Sequence, residues 1–318
     1  MNIIEYLGYG LTLAIIGLGY NRLPDYNFLW GAIAIALLTI VAKRGAYNML
    51  VMLLVAILVV IISDEKMVIP FLVLIGMPSI AIALAVSQFG MFGKVLSYGF
   101  VGGILGFLVY SGYLALLGEH LAIHPVETFF TGYYTLAMEA WDMTELGEIY
   151  TKYGLTKTML AEWFKSFLNS LKIIRPGLYI IGGWAQILLG LVSAKIVLGS
   201  KGYLIRKPFA DQMMPWQLDW VLIAGLATWL AGTQWNIKGL TQAGANVIFL
   251  IAPIAFYFGL SLLVYVFQRW DIKVWLIWGL ILLLFFMPVQ AFFFIAILGV
   301  FDPLIDYRDL DGKRGSAT

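Results

Sequence analysis

Residues 46–62 read AYNMLVMLLVAILVVII, a run without a single charged side chain. The hydrocarbon core of a bilayer, about 30 Å thick, is crossed by roughly 20 apolar residues in a helix. A helix also satisfies its own backbone polar groups, which lipid cannot do. The run therefore predicts a membrane-crossing helix, and it is one of a series. Similar stretches lie at 6–20, 28–42, 67–86, 95–117, 173–198, 218–235, 246–267 and 274–300, separated by short polar breaks such as Lys43-Arg44-Gly45. The expected fold class is all-α, a polytopic transmembrane helical bundle of about nine spans, with eight to ten allowed because 6–20 and 28–42 are short and Pro288 interrupts 274–300. Trp216 and Trp220 stand at one end of 218–235 and Trp235 at the other, the placement of an aromatic belt.

Composition agrees with this. The chain is 62% hydrophobic and 12% charged, with a mean hydropathy of +0.91, far from the balance of a soluble domain. Its 20 basic and 18 acidic residues give a net charge of +2, which supplies no electrostatic case for nucleic acid. With no cysteine there is no disulfide, thiolate metal site or iron–sulfur cluster. The first apolar stretch follows Met-Asn-Ile-Ile-Glu without a basic leader, so it is expected to remain as a membrane segment. Loops after even-numbered spans, with their flanks, hold Lys43, Arg44, Lys94, Lys195, Lys201, Arg206, Lys207, Arg269 and Lys273, whereas those on the other side hold Arg22, Lys66 and Lys238. The bias predicts a cytoplasmic amino terminus. Arg308, Lys313 and Arg314 of the tail then fall outside, so either the neighbouring aspartates offset them or the count is off by one.

Four regions follow: amino-terminal transmembrane helices at 1–117, a polar insert at 118–172, carboxyl-terminal transmembrane helices at 173–300, and a polar tail at 301–318. The insert mixes seven acidic and four basic residues with aromatics. Within it Met159, Leu160, Trp163, Phe164, Phe167, Leu168 and Leu171 recur at helical spacing. This predicts an amphipathic helix, with Thr156 as its cap after the helix-stopping Gly154. A second pattern joins Phe129, Phe130, Tyr133, Tyr134, Ala137 and Trp141. The two apolar faces require cover, either at the membrane interface or as a lid over a cavity.

Candidate chemistry is sparse. His120 and His124 are four apart, but Pro125 disfavours a helical His124, so no metal site is expected. The predicted span interiors hold no carboxylate. Asp219 opens the seventh span and is expected to reach the headgroups, which disfavours a proton- or sodium-coupled mechanism. Gln186, Asn246 and Gln290 remain as neutral polar groups able to hold a ligand or to join helices. Gly99-x-x-x-Gly103 and Gly102-x-x-x-Gly106, with Gly182, Gly183 and Gly190, predict close helix packing. Pro176 after Arg175 reads as the start of the sixth span. Nucleotide loops, a nucleophile elbow and a metalloprotease motif are missing from the sequence. No enzymatic activity and no cofactor are expected, and an ATP-driven process would need a separate subunit.

The second half carries an ordered set of words: Arg175-Pro176-Gly177-Leu178, then Lys207-Pro208-Phe209 with Pro215 and Trp220, then Gly244-Ala245-Asn246 with Tyr257-Phe258-Gly259-Leu260-Ser261. Gly299-Val300-Phe301-Asp302-Pro303 follows and leads into Asp306-Tyr307-Arg308. In these the chain resembles the YybS-like family of uncharacterised bacterial multi-spanning membrane proteins. The resemblance implies a place in the bacterial cytoplasmic (inner) membrane. It also implies an affinity in fold with the substrate-binding components of energy-coupling-factor transporters, which capture a ligand and work with a partner complex containing ATPases. Arg175, Pro176, Asp302, Asp306 and Arg308 are expected to be structural, the last three pinning the tail beneath the last helix. The functional expectation is a non-catalytic scaffold or accessory membrane component, whose partners are lipid and other membrane subunits. A substrate-capturing transporter component is the alternative.

Overall fold

A computed structural model of the chain describes residues 3–22, 27–89, 91–143, 146–199, 208–270, 282, 286–305 and 308. Every long element is a helix: α1 (Ile3–Arg22), α2 (Asn27–Ala42), α3 (Ala46–Ser63), α4 (Val68–Gln88), α5 (Phe92–Leu116), α6 (Pro125–Met143), α7 (Leu146–Lys152), α8 (Lys157–Leu198), α9 (Gln217–Gln234), α10 (Lys238–Arg269) and α11 (Pro288–Ile305). Among the described residues six of these are long and apolar enough to cross a membrane: α3, α4, α5, α8, α10 and α11. The apolar stretches predicted at 6–20, 28–42 and 218–235 are also helical, as α1, α2 and α9. Residues 271–281, the start of the predicted last span, lie outside the described residues, and α11 begins at Pro288. Proline suits that position because its missing N–H is one that a first turn leaves unbonded anyway.

The chain divides into two compact units, Met1–Ile123 with Leu178–Arg206, and His124–Gly177 with Lys207–Thr318. In the first unit, Gly45 at φ +133° turns the chain between α2 and α3. Pro78 has no N–H for the turn before it, and α4 widens into a π turn over Leu72–Gly76 just ahead of it. The glycines of α5 exploit this local geometry. A Cβ on Gly102 would sit 2.9 Å from the Ala81 methyl and 3.0 Å from Pro78 Cα, and one on Gly106 would overlap the Val73 carbonyl. Gly99 and Gly103 lie against Ile187 of α8. The predicted spacing in α5 is thus used inside this unit, and Gly190 of α8 meets Ala32 and Ile35 of α2, whereas a Cβ on Gly182 or Gly183 would meet nothing within 4 Å. Leu13, Ile16, Ile35, Leu38, Met49, Ile75, Ile82, Ile187 and Leu191 form its buried interior, while Leu50, Leu54, Leu58 and Ile61 of α3 turn outward. An outward apolar face is what a lipid solvent requires.

In the second unit, α9, α10 and α11 pack on one another through glycine. A Cβ on Gly259 of α10 would overlap the Ile295 carbonyl of α11, and one on Gly299 would overlap the Ala255 carbonyl. Gly225 and Gly244 play the same part between α9 and α10. Met214, Ala255 and Ala296 are buried together, with Leu218, Ile254 and Val300 against them. The amphipathic segment is the first part of α8. Thr156 Oγ1 accepts the Met159 N–H at 3.2 Å, the cap bond expected of it, after Gly154 at φ +80°.

Three sequence expectations change. Pro176 does not start a helix: α8 runs unbroken from Lys157 to Leu198, so the expected boundary at 172/173 falls inside it. Asn246 does not open a helix either, because α10 starts at Lys238, two turns earlier. The helix α11 continues to Ile305, past the expected start of the polar tail, and carries Asp302 with it.

Candidate functional site

The polar groups of the second unit gather in two places. The first is built on Pro176. Proline has no N–H to bond the Lys172 carbonyl and its ring crowds that turn. Asn246 of α10 reaches this turn: its Oδ1 accepts the Gly177 N–H at 2.6 Å, and its Nδ2 donates to the Ile173 carbonyl at 2.8 Å and to the Gln242 carbonyl at 2.6 Å. Ile173 and Gly177 are the two ends of one helical turn, so the carboxamide is spliced onto the backbone of α8. The approach needs a glycine, since a Cβ on Gly177 would stand 2.9 Å from Asn246 Oδ1 and 2.8 Å from the Phe249 ring. Next to it, the Arg175 guanidinium makes a two-pronged pair with Glu127 of α6, at 2.6 and 2.8 Å. Glu127 is buried, and Arg175 holds its carboxyl below the usual carboxylate range. His124 lies one turn before it. Its Nδ1 accepts the Val126 N–H at 3.2 Å, and burial pushes its pKa down.

The second cluster is centred on Arg308, which is completely buried, as is Asp302. The guanidinium meets Asp302 at 2.6 Å and donates a further bond at 3.3 Å to the other carboxylate oxygen. Its Nη1 donates to the Ala210 carbonyl and, at 3.2 Å, to Ser261 Oγ. Ser261 is buried too, with the Phe209 and Gln212 carbonyls at 2.5 and 2.6 Å from its hydroxyl. Tyr265 lies under the guanidinium with its ring 5.6 Å away and donates its hydroxyl to the Arg308 carbonyl at 3.3 Å. Tyr257 OH and Gln212 Oε1 are 2.6 Å apart. A buried guanidinium is tolerated only with a carboxylate and acceptors for its donors; here Asp302 supplies the carboxylate, and the Ala210 carbonyl and Ser261 hydroxyl serve Nη1.

The residues singled out in the sequence thus separate. Asn246, Arg175 and Pro176 meet at the first cluster, and Asp302 and Arg308 at the second. Asp306 lies outside the described residues. Gln186 belongs to the first unit, where its Nε2 donates to the Asn27 and Phe28 carbonyls at 3.2 and 3.0 Å, an approach opened by Gly31. Gln290 is exposed on α11. Among the described residues no group of three metal-ligating side chains occurs. Asp219 stands in the first turn of α9, as its place at the start of the span implied, but it is buried, and among the described residues neither carboxylate oxygen has a hydrogen-bond partner. Sequence reasoning missed Glu127 as the partner of Arg175 and Ser261 as a partner of Arg308. Ser261 sat within a quoted word, while Glu127 carried no local signal.

Away from both clusters, the aromatic stripes of α6 and α8 face each other around a cavity of about 540 Å³. Phe130 meets Phe167 edge-on at 4.9 Å, and Tyr134 meets Phe164 at 5.3 Å.

No curated protein and no solved structure matches the chain. The family described as Predicted membrane protein (DUF2232) matches over residues 11–303, and the chain belongs to that family, so that the lipid bilayer is its solvent.

Proposed function

We propose that this membrane protein is a non-catalytic scaffold or accessory component, which holds a fixed helical frame and offers its outer surface to lipid and to other membrane subunits. The observation that carries this reading is the fate of the buried polar groups other than Asp219. Asn246, Ser261, Asp302 and Arg308 each spend their hydrogen bonds on other parts of the same chain, as helix-joining groups do in lipid. Groups so engaged are not poised over a reacting atom, which also supports the absence of catalysis. The finer features belong to the same proposal. They are about nine crossings, with α1, α2 and α9 spanning as well, a place in the bacterial cytoplasmic membrane, and membership of the YybS-like group. The test is gentle extraction from native membranes followed by mass spectrometry of what co-purifies. Recovery of the protein alone and monodisperse, without partner or lipid, overturns the scaffold reading.

The alternative is a substrate-capturing transporter component akin in fold to energy-coupling-factor subunits. The aromatic cavity between α6 and α8 favours it, because its volume lies in the range of small-ligand sites, about 300–1,000 Å³. A metabolite that raises the thermal midpoint of the purified protein supports capture; a broad screen without any shift removes it.

A further inference from the structure

The two ends of the first unit differ in charge. The Arg44 guanidinium pairs with Glu5 of α1 and lies 5.8 Å from the centre of the Tyr9 ring, so the α2–α3 turn and the start of α1 share one end. Helix α8 finishes there too: Ala194 packs against Ala36 and Ile40 of α2, and Lys195 Nζ stands 5.4 Å from the ring of Phe92, the first residue of α5. Among the described residues this end holds Lys43, Arg44, Lys94 and Lys195, with Glu5 as its one carboxylate. The opposite end, where α1 and α5 stop and α3 turns into α4, holds Asp64, Glu65 and Glu119 with Arg22 and Lys66.

Two of these cations gather at a single turn. Lys94 Nζ stands 4.6 Å from the ring of Phe89, just before the α4–α5 turn, while Lys195 lies over Phe92, just after it. Arg44 is engaged by Glu5, but neither Lys94 nor Lys195 has an ion pair or a hydrogen bond among the described residues. A ring face offsets part of an ammonium's charge and leaves donors to spare. Like charges drawn to one turn without a carboxylate repel each other, and an anion from outside relieves that repulsion. The surroundings show which anion. Next to Lys195, Ile196 is 75% exposed and Val197 70%, and Tyr98, whose ring meets that of Phe89, is exposed as well. Helices α4, α5 and α8 are all long and apolar enough to cross a membrane, so a turn joining two of them faces headgroups. A free anion or a water-soluble acidic partner would leave Ile196 and Val197 uncovered, whereas a lipid covers them with its tails.

We infer that Lys94 and Lys195, at the α4–α5 turn, hold the headgroup of an anionic phospholipid whose acyl chains lie along the exposed Ile196 and Val197 of α8. Such a site requires α4, α5 and α8 to cross the bilayer and is compatible with a scaffold and with a capture component alike.

The test places the full chain in nanodiscs of equal phosphatidylglycerol and phosphatidylcholine and identifies by native mass spectrometry the lipid that stays bound on release. Phosphatidylglycerol is expected to be retained in preference. Lys94→Gln or Lys195→Gln should each reduce the preference about five-fold, the weight of one lysine at an anionic surface, and Lys66→Gln at the opposite end should leave it unchanged. Lys94→Arg with Lys195→Arg keeps both charges and should keep the preference. Equal retention of the two lipids by the parent, or an undiminished preference in a glutamine variant whose thermal midpoint in phosphatidylcholine shows it folded, overturns the proposal. So does an equal loss in Lys66→Gln, which would make the preference a property of the whole chain's charge. Displacement of the lipid by inorganic phosphate beyond that by chloride at matched ionic strength overturns it too, since the ligand would then be the free anion.

Discussion

Asn246 Oδ1 accepts the Gly177 N–H at 2.6 Å, joining the third turn of α10 to the turn around Pro176 in α8. The same carboxamide donates to the Ile173 carbonyl, so one side chain serves both ends of a helical turn. This accounts for the passage of α8 through a proline inside a long helix, where the usual outcome is a break costing about 3 kcal/mol or more. Neither residue is informative alone. Asn246 needs the glycine to come close, and the proline needs the amide to stay helical.

Asn246→Ala is expected to lower stability by about 1–3 kcal/mol, the range for leaving buried hydrogen-bonding groups without partners. Gly177→Ala should act on the same contact by forcing the carboxamide away. The double variant should fall short of the sum of the two. Thermal midpoints of the four proteins in one detergent provide the cycle, and additive effects would refute the splice.

Arg308→Ala strands Asp302 in the interior and should cost about 3–5 kcal/mol. Arg308→Lys should recover little, because one ammonium cannot replace a fork that reaches Asp302, the Ala210 carbonyl and Ser261 together. Asp302→Leu with Arg308→Met removes both charges and should be far closer to the parent than either single change. Detergent-solubilised yield and thermal midpoint measure all four.

Acid should weaken the second unit in two steps. Burial lowers the His124 pKa, so the folded state resists protonation and stability begins to fall as pH drops below the ordinary histidine value of about 6.5. The Glu127 carboxyl is held low by Arg175, so the stability it contributes is complete above the ordinary carboxylate value and is lost as pH falls through the lowered one. Glu127→Gln should abolish the lower step and leave the upper one. Midpoints measured from pH 7 to pH 3 separate them.

Gly259→Ala and Gly299→Ala each place a methyl into a backbone carbonyl of the facing helix. Carbonyl groups cannot rotate away as side chains do, so α10 and α11 must separate. Each substitution is expected to abolish monodisperse recovery, whereas Gly239→Ala, where nothing lies within 4 Å, should be tolerated. Size-exclusion profiles of the three decide it.

Asp219 is buried without a hydrogen-bond partner among the described residues, a destabilising arrangement. Asp219→Asn removes the charge at constant shape and should raise stability by about 1 kcal/mol. A lower midpoint for the variant would mean that the carboxylate makes a favourable contact in the membrane.

The sequence by itself determined the class and the placement of most helices. A run such as 46–62 has one stable conformation in lipid, and the helix found there, Ala46–Ser63, differs from it by one residue. Caps and turns set by local chemistry, such as Thr156 after Gly154, were legible for the same reason. The interior polar contacts were decided by tertiary structure alone. Arg308 reaches a carbonyl 98 residues away, Arg175 finds Glu127 across 48, and Asn246 sits two turns inside a helix that hydropathy seemed to open there. Hydropathy is a property of neighbours along the chain, whereas the satisfaction of a buried polar group depends on which distant backbone comes within hydrogen-bonding reach.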